Sequence, residues 1–209
     1  MGRLLAGQLS AHRLSLLIWA LALAGACGCA SPSRPVPHGE IPRGLLLEAR
    51  PIGRGARFHP PVTGRVGSHC QRRIGRRFGV HVELFAVDRV VIVPAGIGVR
   101  PPVRQLAGRI VSARCYGRLV TLEPTGLVLV RAGAALSLSD LFGAWGEPLS
   151  RRQMASFRAA RGSRVSVFLD GREVRSAPGD LALSRHAEIV LEVGPHVPPH
   201  SSYTFPPGT

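Results

Sequence analysis

Between Val80 and Val87 the side chains alternate: His81, Glu83, Phe85 and Val87 fall on one face, and Val80, Val82, Leu84 and Ala86 on the other. Period two is the signature of a strand. Asp88 and Arg89 permit a reversal into "VVIV", which ends at Pro94 and Gly96, so the stretch reads as a β-hairpin. A second pair follows, "CYGRLVTLE" and "GLVLVRA", with Pro124, Thr125 and Gly126 as its turn. In "LSLSDLFGAWG" the period changes. Leu138, Leu141, Phe142 and Trp145 recur three or four apart, Ser137 or Ser139 can cap, Asp140 suits the helix dipole, and Gly146 and Pro148 stop the run. Residues 150–163 are arginine-rich and read as a polar connector or a short second helix. "RVSVFLDGREV" is strand, Asp-Gly turn, strand. "HAEIVLEVG" sets Ile189, Leu191 and Val193 against Glu188 and Glu192, a strand with one wet face. The order strand, strand, helix, strand, strand over residues 115–194 predicts an α+β fold, mainly β. Its form is β-grasp-like, a mixed sheet of hairpins crossed by one short helix, with the first hairpin extending or capping it.

The N-terminus carries a different pattern. Arg3 and Arg13 supply a positive region before an apolar stretch from Leu14 to Ala26 that is shorter than the ~20 residues of a bilayer span. It fits a secretory signal peptide. Ala24, Gly25 and Ala26 precede Cys27, an arrangement similar to bacterial lipoprotein signals, in which the cysteine is acylated and becomes the mature N-terminus. Lipidation at Cys27 is the expectation, with ordinary cleavage or an uncleaved anchor as the alternatives. The chain then divides into a signal peptide (1–26), a Pro/Arg/Gly-rich tether (27–61), a single β-rich domain (62–194) and a Pro-rich extended tail (195–209).

Composition adjusts this picture in two ways. The 209 residues contain no lysine and no asparagine, so all 27 basic residues are arginine. Both missing residues have AT-rich codons, and a GC-rich genome accounts for the bias, which discounts arginine as a functional signal. The formal net charge of +15 still attracts polyanions over roughly a Debye length of ~8 Å. The arginines are scattered, without aromatic interleaving or a recognition motif, so nucleic acid is not an expected partner. A membrane surface, reached through the lipid, and anionic envelope polymers are. Export also permits disulfides. Cys70 and Cys115 are the two cysteines of the folded region, and a bridge between them closes a loop of about 45 residues worth ~2–4 kcal/mol. Free thiols, or a metal pair with His69, are the alternatives.

"PVTG" with Cys70, "HVELFAVDRVVIVPAGIGV", "CYGRLVTLEPTGLVLV", "LSLSDLFGAWGEPLS", "VSVFLDGREV", "LSRHAEIVLEVG" and "YTFPPG" follow in order. Together they resemble a family of uncharacterised bacterial secreted proteins and lipoproteins, over about residues 62–209. The family's first strand carries H-x-H followed by an acid, its second hairpin H-T-H-D, and the next strand a further histidine. The resemblance implies an imidazole cluster suited to a transition metal. In this chain Gly79 stands at the first histidine and His81 at the second, with Glu83 as the acid. Val120 and Leu122 replace the next two, Glu123 the aspartate, and Leu129 the last. The implied cluster has become aliphatic. His81 is then a structural or surface residue paired with Glu83 or Glu123, and the alternative is a reduced metal site at His81, Glu83 and Glu123.

No residue pattern supplies a nucleophile with its base, and neither G-x-S-x-G nor a phosphate-cradling P-loop occurs. Gly96 and Gly98 read as turn residues, and Glu83 with Glu123 is the only candidate acid pair. The reading is a non-enzymatic, exported envelope protein without cofactor. Its residues name no ligand and no oligomeric state.

Overall fold

The longest run of alternation gives the longest strand, β1 (Arg77–Ala86), and the sheet is built outward from it. The computed structural model describes residues 50–67, 69–198 and 203–209; the expected signal peptide, Cys27 and most of the tether lie outside the described residues. After β1 come β2 (Arg89–Val91), β3 (Val99–Leu106), β4 (Arg109–Tyr116), β5 (Leu119–Val120) and β6 (Leu127–Arg131). The helix α1 (Leu138–Trp145) follows, then β7 (Leu149–Ser150), β8 (Gln153–Met154) and β9 (Phe157–Arg158). β10 (Ser166–Leu169), β11 (Arg172–Glu173), a 3-10 turn at Pro178–Asp180 and β12 (Glu188–Val193) complete the order. The fold is α+β and mainly β, as the pattern predicts.

The main sheet runs β11-β10-β12-β1-β6-β5, with β2 also on β1. β1 pairs in parallel with β12, from His81↔Glu188 to Ala86↔Val193. Its other edge is shared: Arg77 to His81 pair with β6, and Leu84 to Ala86 with β2. The first hairpin is therefore the centre of the sheet, not its cap. Three reversals have the left-handed pairs that match strand twist: Val87 and Asp88 (φ 53° and 63°), Ala107 and Gly108 (φ 47° and 77°), and Asp170 and Gly171 (φ 49° and 75°).

One face of β1 builds the main core. Val80, Val82, Leu84 and Ala86 pack with Val128, Val130, Ile189 and Leu191 of the neighbouring strands and with Leu138, Leu141, Phe142 and Trp145 of α1. Each large side chain taken fully from water contributes roughly 1.5–3 kcal/mol. The helix starts where Asp140 Oδ2 accepts from the backbone N–H of Ser137 at 2.9 Å and from its hydroxyl at 3.3 Å. It stops at Gly146, which takes the left-handed conformation (φ 91°) and donates its N–H to Phe142 O. Asp140→Ala is expected to lower stability by about 1 kcal/mol, as read from urea unfolding. No change would mean that packing alone holds the first turn.

Four expectations are corrected. Cys115 and Tyr116, expected in the second hairpin, instead pair with Arg100 and Val99 and end the antiparallel ribbon β3–β4, a two-stranded sheet of its own, leaving Leu119 and Val120 to pair with β6. Residues 150–163 are neither connector nor helix: β7, β8 and β9 make a small three-stranded sheet, because Met154, Ala155 and Phe157 are buried and tight turns let them fold inward. The wet face of β12 is covered, and Glu192 is only 2% exposed. Finally, the packed body begins upstream of residue 62. Pro51 and Gly53 exchange backbone hydrogen bonds with Val90, Phe58 O accepts from Ile92 N, and the Phe58 ring packs on the core.

The two expected cysteines are joined. Cys70 and Cys115 form a disulfide with Cα atoms 5.6 Å apart, beside an antiparallel bridge in which Gln71 and Tyr116 exchange backbone hydrogen bonds of 2.9 and 2.8 Å.

Candidate functional site

The second face of β1 carries His81, Glu83 and Phe85, and here the residues singled out by the resemblance come together. Gly79 pairs with Leu129 across β1 and β6, and Leu129 pairs with Val120 across β6 and β5. Directly opposed residues share a face, so three positions where imidazoles are implied form one row. His81, two residues on, opposes Leu127. The row is filled with carbon. Val120, Leu122, Leu127 and Leu129 join Val99, Ile110 and Tyr116 in a second apolar cluster, and Tyr203 and Phe205 of the tail pack against it. The tail crosses so closely that a Cβ on Gly79 would meet Phe205 Cδ1 at 2.9 Å and Leu127 Cδ1 at 3.1 Å.

His81 sits at the rim of this cluster, 8% exposed. Its Nε2 lies 3.0 Å from Thr125 O. A carbonyl only accepts, so Nε2 carries the proton. Nδ1 faces Glu83 Oε1 at 3.8 Å, and Tyr203 stacks on the ring, centroids 3.7 Å apart and planes 9° from parallel. Glu123 turns elsewhere: both its oxygens lie 3.3 Å from Arg109 Nη1. Burial, and then the charge of Glu123, push the Tyr203 phenol up from its ordinary pKa. Of the alternative metal set, His81 and Glu83 are neighbours while Glu123 is engaged by arginine. Among the described residues no three His, Cys, Asp or Glu side chains are grouped to hold a metal.

Two further histidines clasp the tail. His186 Nε2 lies 2.6 Å from Thr209 O, and its ring stacks on Phe205. His196 Nδ1 lies 2.8 Å from Glu192 Oε2, and its ring stacks on Phe168. Glu192 also accepts from Val197 N at 3.2 Å. This carboxylate is buried because the tail satisfies it, a role its alternating strand pattern conceals.

A further concavity lies away from His81. A groove of about 360 Å³ runs between α1 and the turn joining β4 to β5, with Arg65, His69, Gly98, Arg118, Ser139 and Asp140 on its walls. Arg118 Nη2 and Asp140 Oδ1 stand 3.6 Å apart across it. Gly98 shows why the glycine pair of "VPAGIG" is there: at φ 68°, a Cβ would fall 1.9 Å from Leu119 O, so the loop packs on backbone as a turn. No local spacing announces the groove, since its residues come from four separate stretches of chain. Against models of protein families, the curated proteins and the solved structures, the chain finds no match.

Proposed function

We propose that the chain is an exported envelope protein, held to a membrane by lipid on Cys27, that acts as a non-enzymatic binding or structural module. The apolar leader and the small residues before Cys27 support export and acylation. The Cys70–Cys115 disulfide suits an oxidising compartment. The observation that carries the reading is the filled row Gly79, Leu129, Val120, closed by Tyr203 and Phe205. Aliphatic carbon donates to no metal and moves no proton, the aromatic rings of the tail pack over this row, and the cavity left on that face beside His81, Glu83 and Phe85 is small, about 130 Å³. Binding then falls to the surface and to the groove beside α1, where Arg65 and Arg118 face Ser139 and Asp140.

Titration of the purified protein with copper and zinc is expected to show no stoichiometric site. One equivalent bound, and lost on His81→Ala, would overturn the non-metal reading. Growth with a labelled fatty acid is expected to mark the wild-type protein and to leave Cys27→Ser unmarked. A wild-type protein without label would refute the anchor and leave the reading of the sheet face intact.

A further inference from the structure

The β3–β4 ribbon combines exposed arginines with exposed aliphatic side chains. Arg100, Arg104, Arg109 and Arg114 are all exposed, and no acidic residue stands between Val99 and Tyr116. Five large hydrophobic residues are exposed among the described residues, and three of them, Val103, Leu106 and Val111, are on this ribbon. Leu106, next to the tip turn of Ala107 and Gly108 (φ 47° and 77°), is the most exposed at 65%. A ribbon of two strands is marginal in water by itself, yet this one is pinned at both ends. Its base holds Cys115 of the disulfide, and near its tip Ile110 is buried and donates its N–H to Leu122 O at 2.8 Å. The geometry is therefore fixed before any partner arrives.

We propose that this ribbon is a docking arm for an anionic lipid bilayer: Leu106, Val103 and Val111 enter the interfacial layer while the arginines meet phosphate headgroups. Both halves of the composition are needed for the choice. Arg109 is engaged by Glu123, but Arg100, Arg104 and Arg114 have no acid within the ribbon itself and are complementary to any polyanion. A hydrated polymer, however, offers exposed aliphatic side chains nothing. A neutral apolar surface, conversely, gives the guanidinium groups no counter-charge. An anionic membrane interface satisfies both. The inference goes beyond the lipid on Cys27 and does not depend on it, since the ribbon's side chains act whether or not Cys27 is acylated.

The test uses the full unacylated chain and vesicles of phosphatidylcholine with or without phosphatidylglycerol. The apolar leader binds either vesicle, so the readout is local: backbone hydrogen exchange of residues 99–114. Exchange there is expected to slow about tenfold on the anionic vesicles only, the factor that one or two arginines near a charged surface supply. Leu106→Ser and the pair Arg104→Ser with Arg114→Ser, all at exposed positions, are expected to abolish the slowing. Unchanged ribbon exchange on anionic vesicles would overturn the proposal. Equal slowing by soluble polyphosphate would replace the bilayer with a polymer. Slowing that grows with protein concentration in the absence of vesicles would make the ribbon a self-association edge.

Discussion

Replacing both Cys70 and Cys115 by serine is expected to lower the unfolding free energy by about 4 kcal/mol, the chain-entropy value for a loop of this length. The bridge spans 45 residues, and that loop contains β1, β2, β3 and most of β4, so the untied chain regains freedom over the centre of the sheet. Two backbone hydrogen bonds between Gln71 and Tyr116 lie beside the bridge. At about 1 kcal/mol net apiece they do not replace it, and they are themselves at risk once the covalent tie has gone. Urea unfolding without reductant, compared between wild type and the double variant, measures the loss, and adding reductant to wild type should reproduce it. A difference below about 1 kcal/mol would show that residues 70–76 hold their place without the sulfur link.

Arg77→Met is expected to cost about 3 kcal/mol, because hydrogen bonds from a charged donor to buried acceptors are among the stronger ones in a protein. Arg77 opens β1 and is only 7% exposed. Its guanidinium gathers four carbonyls: Ile74 O at 2.8 Å from Nε, Arg118 O and Leu129 O at 3.2 and 3.0 Å from Nη1, and Gly117 O at 2.7 Å from Nη2. Methionine keeps the apolar stem and removes every donor. The damage is limited because Arg131 also donates to Gly117 O and Arg118 O. Desolvation, and then the like charge of Arg131, lower the Arg77 pKa from its ordinary value to about 10. The folded state therefore binds this proton less tightly than the unfolded chain does. Below about pH 10 both states hold it and the contribution is flat; stability gains only as pH climbs above about 10. The loss on Arg77→Met should thus be equal in mildly acidic and mildly alkaline buffer. A loss that changes steeply across neutral pH would assign the effect to another titrating group.

What was legible in the sequence was what neighbouring residues decide. The Asp88 reversal, the Asp170–Gly171 turn, the α1 face of Leu138, Leu141, Phe142 and Trp145, and the stop at Gly146 all depend on a few adjacent positions, and all stand as read. The parallel match of His81 with Glu188 joins distant stretches, and nothing local to either one announces it. Residues 99–116 hid as a ribbon because Pro101, Pro102 and scattered arginines break the alternation that marks a strand. Glu192 looked wet because its cover, Val197 and His196, comes from a Pro-rich tail with no period of its own. At the candidate site, the absence of imidazole at Gly79, Val120 and Leu129, where the resemblance implies it, was visible residue by residue. That Tyr203 and Phe205 seal the same row was not, since aromatic rings in an aperiodic segment carry no address.

The parallel pairing of β1 with β12 also sets an order of events. A polypeptide delivered N-terminus first, whether from a ribosome or through a translocation pore, presents Arg77–Ala86 long before Glu188–Val193 has emerged. The central ladder then waits for nearly the entire chain, and distant contacts of this kind make for slow closure. Until the last strand arrives the intermediate exposes one edge of its longest strand, the site at which a premature pairing with another chain would form.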